Sequence, residues 1–275
     1  MAHLVTPDDW LHRKILGEVM MDLAHLDDKS SPAEVMQEVF KRTSKTLGNP
    51  DPFLQEKKRW KEEILGNSEA IRKQLKQAPD TFLHTLNAAI AANTIDDELH
   101  EDFNLRGLLE SIDSLTLDSD IVEEFKESVA GAKSVLFVHD SAGELFFDLL
   151  LIEELKSIAG ANCQFRSVVR TTHMLGDATA EDAVEVGIDK IAEIVDPGLD
   201  CLGLPISECA AEFREVFKES DLIIAKGQAT YQTLEGEGRT PDGHEKEIWF
   251  LFRVKCPVMA KQLAAQIGDL LLERN

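Results

Sequence analysis

Short apolar runs alternate with amphipathic segments throughout the sequence after Gly131. Runs of this length suit buried β-strands, and the longer segments between them repeat apolar residues at helical spacing. Such alternation is typical of βαβ units, so we predict an α/β fold with a parallel sheet. The predicted strands are 135–138, 165–169, 191–195, 222–225, 248–254 and 270–272. The predicted helices between them are 143–158, 178–186, 205–218, 228–235 and 257–267.

The sequence before this region is typical of successive helices. We therefore predict an all-helical domain over residues 1–130 and an α/β domain over residues 131–275. Ser31-Pro32-Ala33-Glu34 combines a capping box with proline at the first helical position, so it predicts a helix start, and Gly48 predicts the end of that helix. An earlier helix is expected to bury one apolar face, formed by Trp10, Leu11, Ile15, Val19, Met20, Leu23 and Leu26.

The charge balance excludes several kinds of partner. The sequence holds 29 Lys plus Arg against 51 Asp plus Glu, a net charge of −22, which repels nucleic acid and anionic membranes. No stretch approaches the ~20 apolar residues of a membrane span, and the first residues lack the basic and apolar regions of a signal peptide. The four cysteines have no metal-ligand spacing and suit a reducing compartment. We therefore expect a soluble, cytoplasmic protein, and no sequence feature sets its oligomeric state.

Polar residues follow three of the predicted strands. Asp140 and Ser141 follow the first, Arg170 and Asp177 the second, and Lys226 the fourth. Because the carboxyl ends of parallel strands face one crevice, these residues are expected at one rim of the sheet. Two carboxylates and a hydroxyl suit a hard cation such as magnesium or manganese, and a lysine would neutralise a phosphoryl group. The pattern indicates a metal-assisted phosphate site.

Each of these residues also has a purely structural interpretation. Asp140, Ser141 and Asp177 would serve equally well as helix caps, and Lys226 as a solvated charge at a strand end. Other templates fit less well, since the sequence has no GxxxxGK[ST] loop, no G-x-G-x-x-G after the first strand and no GxSxG elbow. The second aspartate that often follows an aspartyl nucleophile by two residues is replaced by Ala142.

Five segments resemble the signatures of the damage-control phosphatases, the family once catalogued as domain of unknown function 89. The first signature, approximately GDNAGE followed by an apolar pair, FD and LLIEEL, is similar to HDSAGELFFDLLLIEEL from His139 to Leu155. The other four segments are AIAANTID over 89–96, VVRTTHMLGDAT over 168–179, SDLIIAKGQAT over 220–230 and FLFRVKCPVMA over 250–260. The resemblance is collinear over about residues 50 to 275.

The resemblance implies a helical domain packed on a Rossmann-like three-layer α/β/α domain. It also implies hydrolysis of phosphate monoesters of small, often damaged metabolites with a divalent ion, commonly manganese, cobalt or nickel. The residues that it places at the metal are Asp140, Ser141 and Asp177. Catalysis is assigned to Asp140, Asp177, Lys226 and Glu144. Substrate binding is assigned to Asn93, Arg170 and Lys226.

The departures from the family pattern cluster in the predicted pocket. Ser141 and Gly176 each stand where the family has asparagine, His139 stands for glycine, and Thr171-Thr172-His173 replaces Gly-Gly-Pro. One interpretation is a retuned site in which His139 or His173 supplies a replacement ligand; imidazole would favour cobalt, nickel or zinc. A second is that both histidines are ordinary packed or solvated side chains.

The same departures leave two other functions open. One is a metal- or ligand-binding protein that keeps the family fold but has little turnover. The other is an S-adenosylmethionine-dependent carboxyl methyltransferase, because a related branch has been described as one. The missing glycine-rich cofactor loop argues against the methyltransferase.

Overall fold

A six-stranded sheet lies at the centre of the computed structural model, which describes residues 1–27, 30, 32–98, 104–113, 115–199, 201–237 and 246–275. All six predicted strands are confirmed. The strands are β1 Ser134–Val138, β2 Gln164–Val168, β3 Glu193–Val195, β4 Leu222–Lys226, β5 Glu247–Arg253 and β6 Leu270–Arg274. Their spatial order is β3-β2-β1-β4-β5-β6, the order of doubly wound dinucleotide-binding folds.

The prediction of a fully parallel sheet is wrong for β6, which pairs antiparallel with β5. The segment after β5 was expected to be helical to residue 267, but the helix covers Pro257–Gln262. Beyond it the chain turns back at Gly268, where the backbone N–H of Gly268 donates to the carbonyl of Val254 at 2.8 Å. The connection therefore returns to the same end of β5 and reverses the next strand, instead of crossing the sheet.

Alternate side chains of the strands enter two different cores. Val135 and Phe137 of β1 belong to the core on one face of the sheet, whereas Leu136 and Val138 belong to the core on the other face. Successive side chains of a strand point to opposite faces, so near-continuous apolar strands such as these need cover on both sides. Helices supply that cover, and the predicted three-layer α/β/α arrangement is confirmed.

The helices begin and end close to the predicted places. Asp80 and Asp118 are helix N-caps, and the side chain of Asp80 accepts a hydrogen bond from the backbone N–H of Leu83 at 2.9 Å. Gly48 has a φ of +64° and follows the helix that was predicted to end there, while the start predicted at Ser31 lies outside the described residues. The helices are α1 Ala2–Val5, α2 Asp9–Leu23, α3 Pro32–Leu47, α4 Leu54–Gly66, α5 Ser68–Gln77, α6 Thr81–Ala91, α7 Leu105–Ile112, α8 Ser119–Gly131, α9 Leu145–Ala159, α10 Ala180–Val186, α11 Ala211–Glu219, α12 Gln228–Leu234 and α13 Pro257–Gln262.

The helical part and the sheet share a core. Trp60 of α4, Leu86 of α6 and Phe125 of α8 lie in the same apolar cluster as Phe147 of α9 and Phe137 of β1. The change from helices to sheet falls between the end of α8 and the start of β1, where it was predicted. The division into two separate domains stays a prediction, since the cluster continues across that point.

The predicted apolar face of α2 is only partly buried. Ile15 and Val19 are buried, but Trp10 and Met20 are each 62% exposed and Leu23 is 38% exposed. The expectation that these three would be covered is wrong, because α2 packs against α1 and α3 and its opposite side has no neighbour among the described residues. None of the helices in the described ranges is both long and apolar enough to cross a membrane.

Candidate metal and phosphate site

Backbone hydrogen bonds join the loops that follow β1 and β2. The N–H of Ala142 donates to the carbonyl of Gly176 at 2.9 Å, and the N–H of Ala178 donates to the carbonyl of Asp140 at 2.8 Å. Ser141 and Asp177 form an isolated antiparallel bridge between these bonds. The two segments, far apart in sequence, are therefore fixed side by side at the carboxyl edge of the sheet, and Asp140, Ser141 and Asp177 are brought together as the sequence predicted.

The carboxylate of Asp140 is held between Asn93 and Gly227. The Nδ2 of Asn93 donates to Oδ2 of Asp140 at 2.9 Å. On the other side, a Cβ at position 227 would lie 2.2 Å from Cγ of Asp140, and Gly227 has a φ of +86°. Both the space and the backbone conformation require glycine there. The K-G pair in SDLIIAKGQAT therefore shapes the rim around the aspartate.

Replacing Gly227 with alanine should displace the Asp140 carboxylate. We expect phosphatase activity to fall about 10²-fold, the usual effect of a misplacement near 1 Å. Gly236→Ala is the matched control, because Gly236 has a φ of +84° but nothing within 4 Å of an added Cβ. Both variants carry similar backbone strain, so equal activity in the two, measured at equal folded fraction, would contradict this role of Gly227.

Asn93 connects the helical part to the rim. Its Nδ2 also donates to Oε1 of Glu144 at 2.8 Å, and its Oδ1 accepts from the backbone N–H of Arg253 at 2.9 Å. The Arg253 bond fixes which end of the amide faces the carboxylates, since a carbonyl oxygen must point to that N–H. Asn93 is fully buried and acts as a donor to two acidic groups. The structure thus gives this residue a positioning role.

Lys226 lies beneath the rim in a fully buried ionic network. Its Nζ donates to the carbonyl of Ala89 at 2.7 Å and to Oδ1 of Asp148 at 2.8 Å, and it pairs with Oε2 of Glu144 at 2.5 Å. An ammonium has three N–H bonds, so these acceptors use them all. Direct contact of Lys226 with a phosphoryl oxygen stays a prediction, and in this structure the ammonium reaches the rim through Glu144.

Asp148 is a member of the site that sequence reasoning missed. It lies in the first turn of α9, where it accepts from Lys226 and, through Oδ2, pairs with Nδ1 of His139 at 2.8 Å. Burial alone would raise the pKa of Asp148, but the Lys226 and His139 charges outweigh it, and the pKa is lowered. An aspartate inside the apolar run LFFDLLLI was the available signal, because a buried carboxylate needs partners.

Burial likewise acts against the charged form of Lys226. Desolvation alone would lower the pKa of this lysine, but the Asp148 and Glu144 carboxylates outweigh it and the pKa is raised. Lys226 is therefore a permanent cation at neutral pH, and Asp148 a permanent anion. The network is ionic, not a chain of neutral hydrogen bonds.

Arg170 binds the second aspartate of the rim. Its Nε donates to Oδ2 of Asp177 at 2.7 Å and its Nη1 donates to the carbonyl of Gly203. Its Nη2 has no hydrogen-bond partner within the described ranges, although the side chain is 5% exposed. Arg170 consequently has one spare buried donor beside Asp177, which suits an oxyanion.

Neither histidine of the altered loops is aimed at the two aspartates by an observed contact. His139 packs against Phe137, with ring centroids 4.8 Å apart, and its Nε2 is buried without a partner among the described residues. His173 lies against Asp51, with Nδ1 at 3.2 Å from Oδ2, and within 3.4 Å of Nζ of Lys57. These positions favour packed histidines, and a metal-ligand role for either one stays a prediction.

The buried charges at the rim suit a bound cation. Four carboxylates and two permanent cations are buried together: Asp140, Glu144, Asp148 and Asp177 against Lys226 and Arg170. The excess of negative charge is costly in a low-dielectric setting unless a positive ion offsets it. Within the described ranges no group of three His, Cys, Asp or Glu side chains forms a ready cage. The site therefore fits an ion that keeps several water ligands and takes one or two carboxylates, as magnesium and manganese do.

A cavity opens beside Arg170. It has a volume of about 280 Å³ and is lined by Val169, Arg170, Thr171, His173, Thr179 and Asp196, among others. Ligand pockets for small molecules start near 300 Å³. The cavity is thus of the right size for a small metabolite whose anionic group reaches the rim.

Comparison with known proteins gives the family. The family model described as damage-control phosphatase ARMT1-like domain matches residues 2–271. The chain belongs to this family. Damage-control phosphatase PH1575 of Pyrococcus horikoshii is 30% identical over 252 residues, covering 90% of this chain and 83% of that protein. A damage-control phosphatase of Archaeoglobus fulgidus is 31% identical over 281 residues, covering 98% and 92%.

The fold of the family member is also that of a solved relative. The crystal structure of the DUF89 family protein PH1575 from Pyrococcus horikoshii superposes with a TM-score of 0.84 at 29% identity. The match covers 100% of this chain and 93% of the other. The resemblance inferred from the five sequence segments is thereby confirmed.

Proposed function

We propose that this member of the damage-control phosphatase family is a metal-dependent enzyme that hydrolyses phosphate monoesters of small metabolites, damaged ones included. The phosphatase class is supported by the family and by the names of the two relatives. Metal dependence rests on one observation, the buried excess of negative charge at the rim where Asp140 and Asp177 are joined by backbone bonds.

The residues of the chain divide into ligands and supports. Asp140, Ser141 and Asp177 would hold the divalent ion, which supplies charge stabilisation for the phosphoryl oxygens when bound. Arg170 presents its spare Nη2 to an oxyanion beside Asp177. Asn93 donates to Asp140 and keeps that carboxylate in place. The developing negative charge of the reaction thus meets donors that are already oriented.

The surroundings support a small substrate in a reducing compartment. The cavity beside Arg170 holds about 280 Å³, too little for a polymer. All four cysteines are free thiols in the structure, which suits the cytoplasm. We therefore propose a small phosphorylated metabolite of the cytoplasm as the substrate.

The test is metal reconstitution of the stripped protein. We expect little hydrolysis of an aryl phosphate without metal and at least about 10²-fold more after addition of manganese, cobalt, nickel or magnesium, since the ion offsets charge that the protein alone leaves uncompensated. Calorimetry on the same samples measures ion binding. Protein that binds no divalent ion and stays inactive with every metal would refute the proposal.

A binding protein with little turnover is the second candidate, and it is favoured by Ser141. A serine hydroxyl is shorter than the amide that the family pattern has at this position, and here Oγ already accepts from the backbone N–H of Gly143 at 3.3 Å. A weakened third ligand would lower metal affinity more than it changes the fold.

Ser141→Asn separates the two candidates. If the serine impairs the site, the variant should bind the metal about 10-fold more tightly and gain activity in proportion. Ser128→Asn, a change of the same kind at a surface helix position, is the control and should alter neither quantity. Unchanged affinity and activity in Ser141→Asn would show that the serine is a working ligand or no ligand at all.

A further inference from the structure

The outward side of α2 is an apolar surface. Trp10, Leu16, Met20 and Met21 are 59 to 62% exposed, and Leu23 is 38% exposed. These residues recur at helical spacing on the side of α2 away from α3, and nothing in the described part of the chain covers them. Scattered apolar residues need no explanation, but five large ones on a single helix of 15 residues form a continuous patch.

The acidic residues of α2 are turned away from this patch. Glu18 accepts from Thr46 at 2.5 Å, and Asp22 pairs with Arg42, which donates through Nη2 at 2.8 Å. From Trp10 to Ala24, the exposed charged residues are Arg13 and Lys14. In a chain with a net charge of −22, this surface is free of the repulsion that most of the molecule would impose on another copy.

We propose that the outward side of α2 is the interface of a two-fold symmetric homodimer, in which α2 packs antiparallel against α2 of a second copy. The inference is independent of the phosphatase proposal. Antiparallel pairing places Trp10 of one copy near Met20 and Met21 of the other when the two-fold axis passes near Leu16 and Gly17. Gly17 has nothing within 4 Å of an added Cβ, so the helices can approach closely at the axis.

The charges at the edge of the patch are self-complementary in this arrangement. Lys14 and Glu18 are spaced equally on either side of residue 16, so antiparallel pairing brings Lys14 of each copy towards Glu18 of the other. Within one copy their charged atoms are 3.9 Å apart, and Lys14 is 45% exposed, which leaves the ammonium able to bridge. An isologous interface requires this reciprocity.

The size of the patch sets the strength of the dimer. A helix of 15 residues is about 22 Å long. One such helix face is smaller than the about 800 Å² per partner of a standard interface. We therefore expect a dissociation constant of about 10 to 100 μM, at the weak end of specific association.

Sedimentation velocity on the full chain tests the proposal. The dimer fraction should rise as the concentration increases from about 5 to 300 μM, which brackets the expected dissociation constant. The double variant Leu16→Glu/Met20→Glu should remain monomeric throughout, because it buries two carboxylates in the interface. Val258→Glu is the matched control, since Val258 is 64% exposed on α13, outside the patch, and it should dimerise as the parent does.

Charge reversal tests the antiparallel arrangement. Lys14→Glu should weaken the dimer about 10-fold, and Lys14→Glu/Glu18→Lys should restore it to within about 3-fold, because the reversed pairs attract again. A monomer at the highest concentration overturns the proposal. So does a dimer that survives in Leu16→Glu/Met20→Glu, or a charge-swapped variant that is no stronger than Lys14→Glu. Circular dichroism confirms that each variant is folded.

Discussion

Lys226→Met is expected to lower the free energy of unfolding by about 3 to 5 kcal/mol, because the change leaves buried carboxylates without their cation. Glu144 and Asp148 would lose an ammonium that lies 2.5 and 2.8 Å away, and the carbonyl of Ala89 would lose its donor. Methionine fills a similar volume, so the loss is electrostatic and not a cavity effect. Urea unfolding followed by circular dichroism measures it.

Lys126→Met is the matched control for this variant. Lys126 pairs with Glu123 at 2.7 Å on the surface of α8, with exposed fractions of 26% and 67%, so its loss should cost less than about 1 kcal/mol. Should Lys226→Met fail to fold, Lys226→Met/Asp148→Asn offers a second measurement, because removing one unpaired charge should restore part of the stability. A Lys226→Met variant as stable as the parent would mean that the buried ionic network is not formed.

The pH dependence of the same difference follows from the pKa shifts. The lowered pKa of Asp148 means that its contribution is present above its ordinary value of 3.8 and is lost as the pH falls through the lower folded value. The raised pKa of Lys226 means that its contribution is present below its ordinary value of 10.5 and is lost as the pH rises through the higher folded value. The stability difference between parent and Lys226→Met should therefore stay constant between about pH 5 and 9.

Asp140→Asn and Asp148→Asn are expected to have opposite effects on stability. Asp140→Asn removes part of the excess negative charge and keeps an oxygen that accepts from Asn93, so the metal-free protein should be as stable as the parent or up to about 1 kcal/mol more stable. Its phosphatase activity should fall about 10³-fold, because a metal carboxylate is lost. Asp148→Asn should instead cost about 2 to 4 kcal/mol, since it breaks the pairs with Lys226 and His139.

Thermal unfolding of metal-stripped protein and aryl phosphate hydrolysis with added metal together test this pair. The two variants make the same chemical change eight positions apart in the first signature. If Asp140→Asn proved the more destabilising of the two, or kept most of its activity, the assignment of Asp140 to the metal and Asp148 to the support would be wrong.

The sequence predicted the sheet well because its signals are local. Each strand is an apolar run of the right length, and Gly48, Asp80 and Asp118 mark helix ends with their own backbone chemistry. The rim residues followed from the rule that parallel strands end at one edge. β6 was misjudged because the direction of a strand depends on the turn at Gly268, not on the strand itself.

The support beneath the rim was less accessible from the sequence. Lys226 and Asp148 are 78 positions apart on different elements, and only their packing joins them. A lysine after a strand was interpreted as a phosphate ligand for want of a visible partner. The exposed side of α2 failed for a similar reason, because an amphipathic pattern states that a face is apolar but not which element covers it.

The contacts of Asn93 and of the Ala89 carbonyl bear on how this protein could have arisen. Both groups come from the helical half, and they hold Asp140 and Lys226 of the other half. A fragment beginning at β1 would carry both rim aspartates without the groups that orient them. Gene fusion or shuffling at that junction could not pass on a working catalyst in one piece, so the two halves must be inherited together.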